Sequence, residues 1–305
     1  MLIEIGLLLI THLLLPTIFF SMLWRGEAKS KLDWLLNILV NTLYTIYIFF
    51  SGRWDWLSYY LRFILVILFF IAVLRSYKKV RHLPFYPIKK YQSLSSLGVN
   101  FFIIIIFAYF SFLTLQGFSF HDKPVEFAFP LKDGTYYVAH GGNSSIINYH
   151  NTNRAQQYAL DLVKLNSFGT RANGLYPTEL TKYAIFQDTV YSPCTGKVIN
   201  AINSFPDLIP PETDRQHPAG NYVLIACDRV EILVAHLMSG SIVVNQGEFV
   251  SVNQPIAQVG NSGNTTEPHL HIHARQENSG ETILDGTGVP MTFSGRFLLR
   301  NSLVY

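Results

Sequence analysis

Charge is scarce in this chain of 305 residues, at 14% against 49% hydrophobic residues, and there are only two cysteines. So much apolar material excludes global disorder, and the length suggests about two domains. Glycine-rich loops of the kind that cradle dinucleotides or phosphates between a strand and a helix are missing. Neither Cys194 nor Cys227 has the surroundings of a nucleophile. Residues 1 to 120 hold 11 Lys and Arg against 4 Asp and Glu, a net +7, whereas residues 121 to 305 hold 12 against 16, a net −4. The acidic part has no basic block interleaved with aromatics, which argues against a nucleic-acid partner.

The basic part holds four apolar runs, roughly Leu2 to Leu23, Trp34 to Phe50, Trp56 to Leu74 and Leu97 to Leu115. Each approaches the ~20 residues that span a bilayer as a helix. Four helices without a polar face need lipid to cover them, so about four transmembrane helices and a lipid-bilayer partner are expected. Trp24, Trp34, Trp54 and Trp56 fall at helix ends, where amphipathic rings sit at the headgroups. Arg25, Lys29 and Lys31 follow the first run, and Arg75, Lys78, Lys79, Arg81, Lys89 and Lys90 follow the third. Short Lys/Arg-rich loops stay in the cytoplasm, so the N-terminus and everything past about residue 117 are expected outside. The first run has neither a basic start nor a small-residue cleavage site, and is expected to be retained. Of the ionisable groups Glu4, His12 and Arg62, only His12 is centrally placed, where a hydrogen bond between helices is its ordinary role.

From about residue 119 the pattern turns to short β-type runs: Thr135 to His140, Tyr158 to Val163, Thr189 to Tyr191, Gly196 to Ala201, Tyr222 to Ala226, Glu231 to Leu237, Ser241 to Val244, Ile256 to Val259 and His269 to Ala274. A mostly antiparallel β domain over residues 119 to 305 is expected, beside a helical membrane region over 1 to 118. One helical patch is predicted around Thr178 to Phe186. Cys194 and Cys227 end strand-like runs and lie in the half assigned to an oxidising compartment; they are expected either to pair or to remain buried thiols.

Pro268-His269-Leu270-His271-Ile272-His273 puts three imidazoles on one face of a strand, with Leu270 and Ile272 on the other. Three rings on one face suit a metal, water or polar partners rather than a core. Asp161, inside Ala159-Leu160-Asp161-Leu162, is a carboxylate in an apolar strand that wants a cation or hydrogen bonds. Zinc takes such N and O ligands, and a catalytic site uses three of them with one position left open.

Four segments together resemble the lysostaphin and LytM type of zinc metalloendopeptidase, bacterial enzymes that cut peptide cross-links in peptidoglycan. They are Asn148-Tyr149-His150 with Gln157-Tyr158-Ala159-Leu160-Asp161; Val190-Tyr191-Ser192-Pro193-Cys194-Thr195-Gly196-Lys197-Val198; Gly220-Asn221-Tyr222-Val223-Leu224-Ile225 with Ala235-His236-Leu237; and Gly260-Asn261-Ser262-Gly263 running into His269-Leu270-His271. The likeness covers about Tyr136 to Asn301 and leaves the helical half without a counterpart.

The resemblance implies His150, Asp161 and His271 as zinc ligands and His236 with His269 as a catalytic pair. It implies hydrolysis of a peptide bond by a zinc-activated water, with a peptidoglycan peptide as substrate. His150 and Asp161 stand eleven positions apart where the family's commonest motif has four, so a loop must bulge between them and His140 is a rival ligand. His273 is expected to back a ligand rather than to coordinate. Asn221 and His217 are candidates for substrate contact, with a fold-supporting role open for Asn221. A non-catalytic wall-binding or regulatory module, and a peptidase acting on a secreted peptide or protein, are the alternatives. Four helices exceed what tethering needs, which suggests a membrane-protein partner or a lipid-linked ligand.

Overall fold

The computed structural model describes residues 2–86, 90–120, 122–276, 282–283 and 285–305, so Lys89 lies outside the described residues. The chain divides into two compact units, one of Met1–Trp54 with Tyr60–Leu115, the other of Asp55–Tyr59 with Gln116–Tyr305. A five-residue segment between two helices is thus counted with the β unit.

The first unit has four long helical segments: α1 (Ile3–Arg25), α2 (Lys31–Ser51), α3 (Leu61–Val80) and α4 (Lys90–Gln116). Ser30 opens α2 by accepting the Asp33 backbone N–H at 3.1 Å, the ordinary device for satisfying a helix N-terminus. A π-helical turn, Ile10–Leu14, interrupts α1 and holds His12. Among the described residues, α1, α2 and the Gly98–Gln116 part of α4 are long and apolar enough to cross a membrane. The third run forms α3, which is equally long but carries Arg62, Arg75, Lys78 and Lys79, and this charge sets it apart from the other three. Phe69, Tyr44 and Ile48 are buried between helices, while Leu74, Phe101 and Phe102 are exposed. Apolar side chains thus also face outward.

His12 places Nδ1 3.0 Å from the Leu8 carbonyl of its own helix and stacks edge-on against Trp54. Trp54, just past the end of α2, is buried in the helical unit and donates from Nε1 to the Ile48 carbonyl at 3.0 Å.

The second unit is built on a nine-stranded sheet. Eight of its strands are β1 (Thr135–His140), β2 (Leu160–Leu165), β3 (Gly196–Ile202), β4 (Asn221–Cys227), β5 (Val230–Leu237), β6 (Phe249–Val250), β7 (Leu270–Gln276) and β8 (Leu303–Val304). They run β8-β1-β2-β7-β5-β4-β3-β6, and Gly288–Val289 adds to β7. All these pairings are antiparallel. Alternation assigns the faces. Leu162, Val223, Val234, Leu270 and Ile272 enter the main core, while Leu224, Leu233 and Ala235 cluster on the opposite face. Cys194 and Cys227 form a disulfide, with Cα atoms 6.1 Å apart.

Ser241 to Val244 is not a strand. Ile242 and Val244 do pack on the core, but the segment's one backbone bond across to Ile256 makes no ladder. The patch around Thr178 to Phe186 holds only a 3-10 turn, Leu180–Lys182. Its bonds are of the i to i−3 kind, Lys182 to Glu179 and Tyr183 to Leu180, and such turns rarely propagate.

Candidate metal centre

Strand register brings the candidate ligands together. His271 on β7 pairs with Asp161 on β2, and Asp161 pairs in turn with His140 on β1. His150 arrives from a 3-10 turn, Tyr149–Thr152, capped by Asn148. The buried Asn148 amide also donates to the Gly142 and Ala159 carbonyls at 2.9 and 3.1 Å, tying the bulging loop to the start of β2. The eleven-residue spacing is thereby absorbed by a turn and a short loop.

His150, Asp161 and His271 are buried, and one donor atom from each lies within 4.8 Å of the other two. His150 Nε2 is 3.0 and 2.9 Å from the two Asp161 oxygens, and His271 Nδ1 is 2.9 Å from Oδ1. Three ligands about one tetrahedral zinc stand about 3.3 Å apart. Two imidazoles and a carboxylate at this spacing fit zinc in both chemistry and size.

The rings are held from behind. His150 Nδ1 donates to Gln156 Oε1 at 3.1 Å, which leaves its Nε2 facing Asp161. His271 Nε2 lies 2.9 Å from His273 Nδ1, so His273 backs His271. Such outer bonds fix ring orientation and tautomer in metal sites. Burial raises the Asp161 carboxyl, but His150 and His269 beside it outweigh this and hold it well below the usual carboxylate range. Burial pushes His271 down to about 4 and His273 well below its ordinary value. His140 stands beside the group, and the Arg300 guanidinium donates to its Nδ1 at 2.9 Å.

His236 and His269 face each other, with ring centroids 4.7 Å apart. Ala235 pairs with His271 on β7, so simple alternation would turn His236 toward the main core. A register shift between Asn221 and Tyr222 on β4, opposite this point, and a left-handed backbone at His236 (φ 62°) re-aim it. Bulges do this beside functional sites, and a non-glycine residue in that region is a cost that surroundings must hold in place. His236 Nδ1 lies 2.9 Å from the Ser262 carbonyl and His269 Nδ1 2.9 Å from the Glu267 carbonyl. A carbonyl only accepts, so both rings carry their proton on Nδ1 and leave Nε2 available. His269 Nε2 lies 3.6 Å from Asp161 Oδ1, and its side chain is 15% exposed. Burial, then His269 and His271, hold His236 well below the ordinary histidine value.

A cleft of about 150 Å³ opens over the group, lined by Tyr149, His150, Gln156, His236, His271 and His273 among others. Asn221 belongs to the frame: fully buried, it donates to the Phe205 and Leu237 carbonyls and accepts from the Phe205 N–H. His217 is half exposed, paired with Asp214 at 2.8 Å and stacked on Phe205. Sequence reasoning missed Gln156 and Tyr149, whose ring lies 4.0 Å from His150. Their one signal was position, next to a candidate ligand or within the loop that delivers it.

Residues 181–283 match Peptidase family M23. The match takes in His236, His269, His271 and His273 and begins after His150 and Asp161. No curated protein matches the chain. Among solved structures it is similar to a zinc-containing peptidase from Vibrio cholerae, at 21% identity over 50% of this chain and 37% of that one, with a TM-score of 0.30. It is similar to lysostaphin in solution, at 18% identity over 42% and 40%, with a TM-score of 0.27. A third likeness is to the complex of SpoIIIAH and SpoIIQ, at 15% identity over 53% and 95%, with a TM-score of 0.33. The chain spans about two fifths of the length of the first two.

Proposed function

We propose that the chain is a membrane-anchored zinc metalloendopeptidase whose β unit faces the cell wall and hydrolyses peptide cross-links of peptidoglycan. The observation that carries this reading is the convergence of His150, Asp161 and His271 beside His236 and His269. The match to Peptidase family M23 supports it independently. The helices α1, α2 and α4 supply the anchor, with the lipid bilayer as their partner. Asp55–Tyr59, between α2 and α3, shares a compact unit with Gln116–Tyr305. This agrees with the charge-based topology, which puts that loop and the β unit on the same, extracytoplasmic side.

Zinc held by His150, Asp161 and His271 supplies a Lewis acid and lowers the pKa of water. The chain's own residues handle the protons. Of His236 and His269, one takes the attacking water's proton at Nε2 and returns it to the leaving amine, and the other donates from Nε2 to the tetrahedral oxyanion. The Ser262 and Glu267 carbonyls hold the Nδ1 proton of each ring, so the ring that takes the water's proton offers a bare Nε2, whereas the ring that donates carries a second proton on Nε2 as an imidazolium. Tyr149 and Gln156 form the wall against which substrate is oriented, and the cleft's small volume limits the water beside it.

The test uses the full chain in detergent, loaded with zinc and incubated with purified sacculi, with new peptide termini read by mass spectrometry beside Asp161→Ala. Termini that vanish in the variant support the reading and identify the bond. A zinc-loaded protein that cuts a panel of unrelated peptides but not sacculi would move the substrate to secreted peptides. Failure to bind zinc would favour a non-catalytic wall-binding module.

A further inference from the structure

Asp55–Tyr59 follows α2 in the chain and precedes α3, yet it is woven into the β unit. The Tyr59 N–H donates to the Gly169 carbonyl at 2.8 Å, and the Ser58 hydroxyl donates to the Phe168 carbonyl at 2.8 Å. Tyr59 packs edge-on against Tyr137, at 6.1 Å between centroids. The Asp55 carbonyl accepts the Arg171 N–H at 3.0 Å. Asp55 and Arg171 are 0% and 1% exposed.

The Arg171 side chain links this segment to the site. Its guanidinium lies 3.8 Å from the centre of the Trp56 ring and 3.9 Å, from Nε, to the Asp55 carboxylate. Its Nε and Nη2 also grip Glu267 Oε2 at 2.7 and 2.6 Å. Trp56 also stacks on Tyr176, at 5.5 Å, and the Tyr176 hydroxyl donates to the Thr266 carbonyl at 2.7 Å. Both chains of contact end on the turn before His269. The Glu267 carbonyl in that turn accepts from His269 Nδ1 and, at 2.7 Å, from the Thr265 hydroxyl.

A buried guanidinium between two carboxylates is a poor stability device, because taking its charges out of water is expensive. Its planar fork is well suited to fixing geometry. We propose that Asp55–Tyr59 is a positioning strap: through Arg171 and Tyr176 it holds the Thr266–Glu267 turn, which sets the tautomer and aim of His269. Trp56, Arg171 and Tyr176 are positioning residues, since none of them touches the ligand group. The assignment of a rate effect rests on the peptidase reading above; the assignment of ring geometry does not.

The experiment uses the full chain in lipid nanodiscs with ¹⁵N-labelled histidine, zinc-loaded, comparing wild type, Trp56→Ala, Trp56→Phe and Tyr176→Phe. In wild type the His269 ring gives a single Nδ1–H tautomer. Trp56→Ala is expected to keep its zinc and its melting point, to show a mixture of His269 tautomers, and to lower kcat about 10- to 100-fold with little change in KM, as a displaced catalytic group does. Trp56→Phe restores a ring over Arg171 and most of the rate. If Trp56→Ala does not fold, Tyr176→Phe carries the same test, with a kcat loss of about fivefold for the one hydrogen bond it removes. A wild-type His269 spectrum in both Trp56→Ala and Tyr176→Phe overturns the strap. If wild type cleaves nothing, the peptidase reading fails, and the His269 spectra still decide the strap.

Discussion

Asp161→Asn removes a charge and almost no volume from the point where His150, His269 and His271 converge at 2.9 to 3.6 Å. A structural zinc site of four ligands is worth about 10–16 kcal/mol. One ligand's share is then about 2.5–4 kcal/mol, a loss of between about 10²- and 10³-fold in Kd. Free zinc at 100 times the wild-type Kd stabilises the folded protein by about 2.7 kcal/mol by mass action. At the same free zinc the variant gains less than about 0.5 kcal/mol. Competition against a chelator of known affinity gives both Kd values, and melting with and without zinc gives the second comparison. The metal-free proteins are the control, since Asn fills the same space. A variant that binds zinc within threefold of wild type would sink the assignment of Asp161 as a ligand.

Without metal the β unit should weaken in acid. His271 titrates near 6.5 when unfolded and about 4 in the fold, so between these values the unfolded chain takes up a proton that the fold refuses. Stability then falls with decreasing pH by at most about 1.4 kcal/mol per pH unit for that group. Burial shifts His236 and His273 in the same direction, and denaturant melts in EDTA across this range that gave a flat profile would refute it. His269→Ala should cost about 10²- to 10⁴-fold in kcat while zinc content, read by elemental analysis, stays at wild type; loss of zinc would make His269 a ligand instead. Asn221→Ala, which breaks a buried set of bonds between Phe205 and Leu237, should destabilise by about 2–4 kcal/mol without changing zinc affinity. Replacing Cys194 and Cys227 with serine releases a 33-residue loop and should cost about 2–4 kcal/mol in chemical denaturation.

Local pattern was enough to find most of the elements. Runs of apolar residues located the helices because backbone satisfaction in lipid demands long uninterrupted stretches. Two-residue alternation placed β1, β4, β5 and β7 within a residue or two and put the histidines of β7 on the face opposite Leu270 and Ile272. The Ser241 to Val244 segment shows the limit: its alternation reports burial, whereas a strand also requires a neighbour whose bonds are free to pair. The helical patch at Thr178 to Phe186 fails for a related reason, since one turn of i to i−3 bonds does not nucleate a helix.

By itself the sequence determined a split chain, apolar helices followed by a β unit, and a set of imidazoles and a carboxylate with the chemistry of a zinc site. Only the tertiary structure decided which of them meet. The distance from His150 to Asp161 is closed by a capped turn, and Arg300 occupies His140 Nδ1 from across the fold. His236 reaches the site because a bulge and a left-handed backbone reverse the face that alternation assigns it. The link from Trp56 through Arg171 to Glu267 joins residues far apart in the chain. Each of these depends on bonds between distant segments, and no local period records which segments those will be.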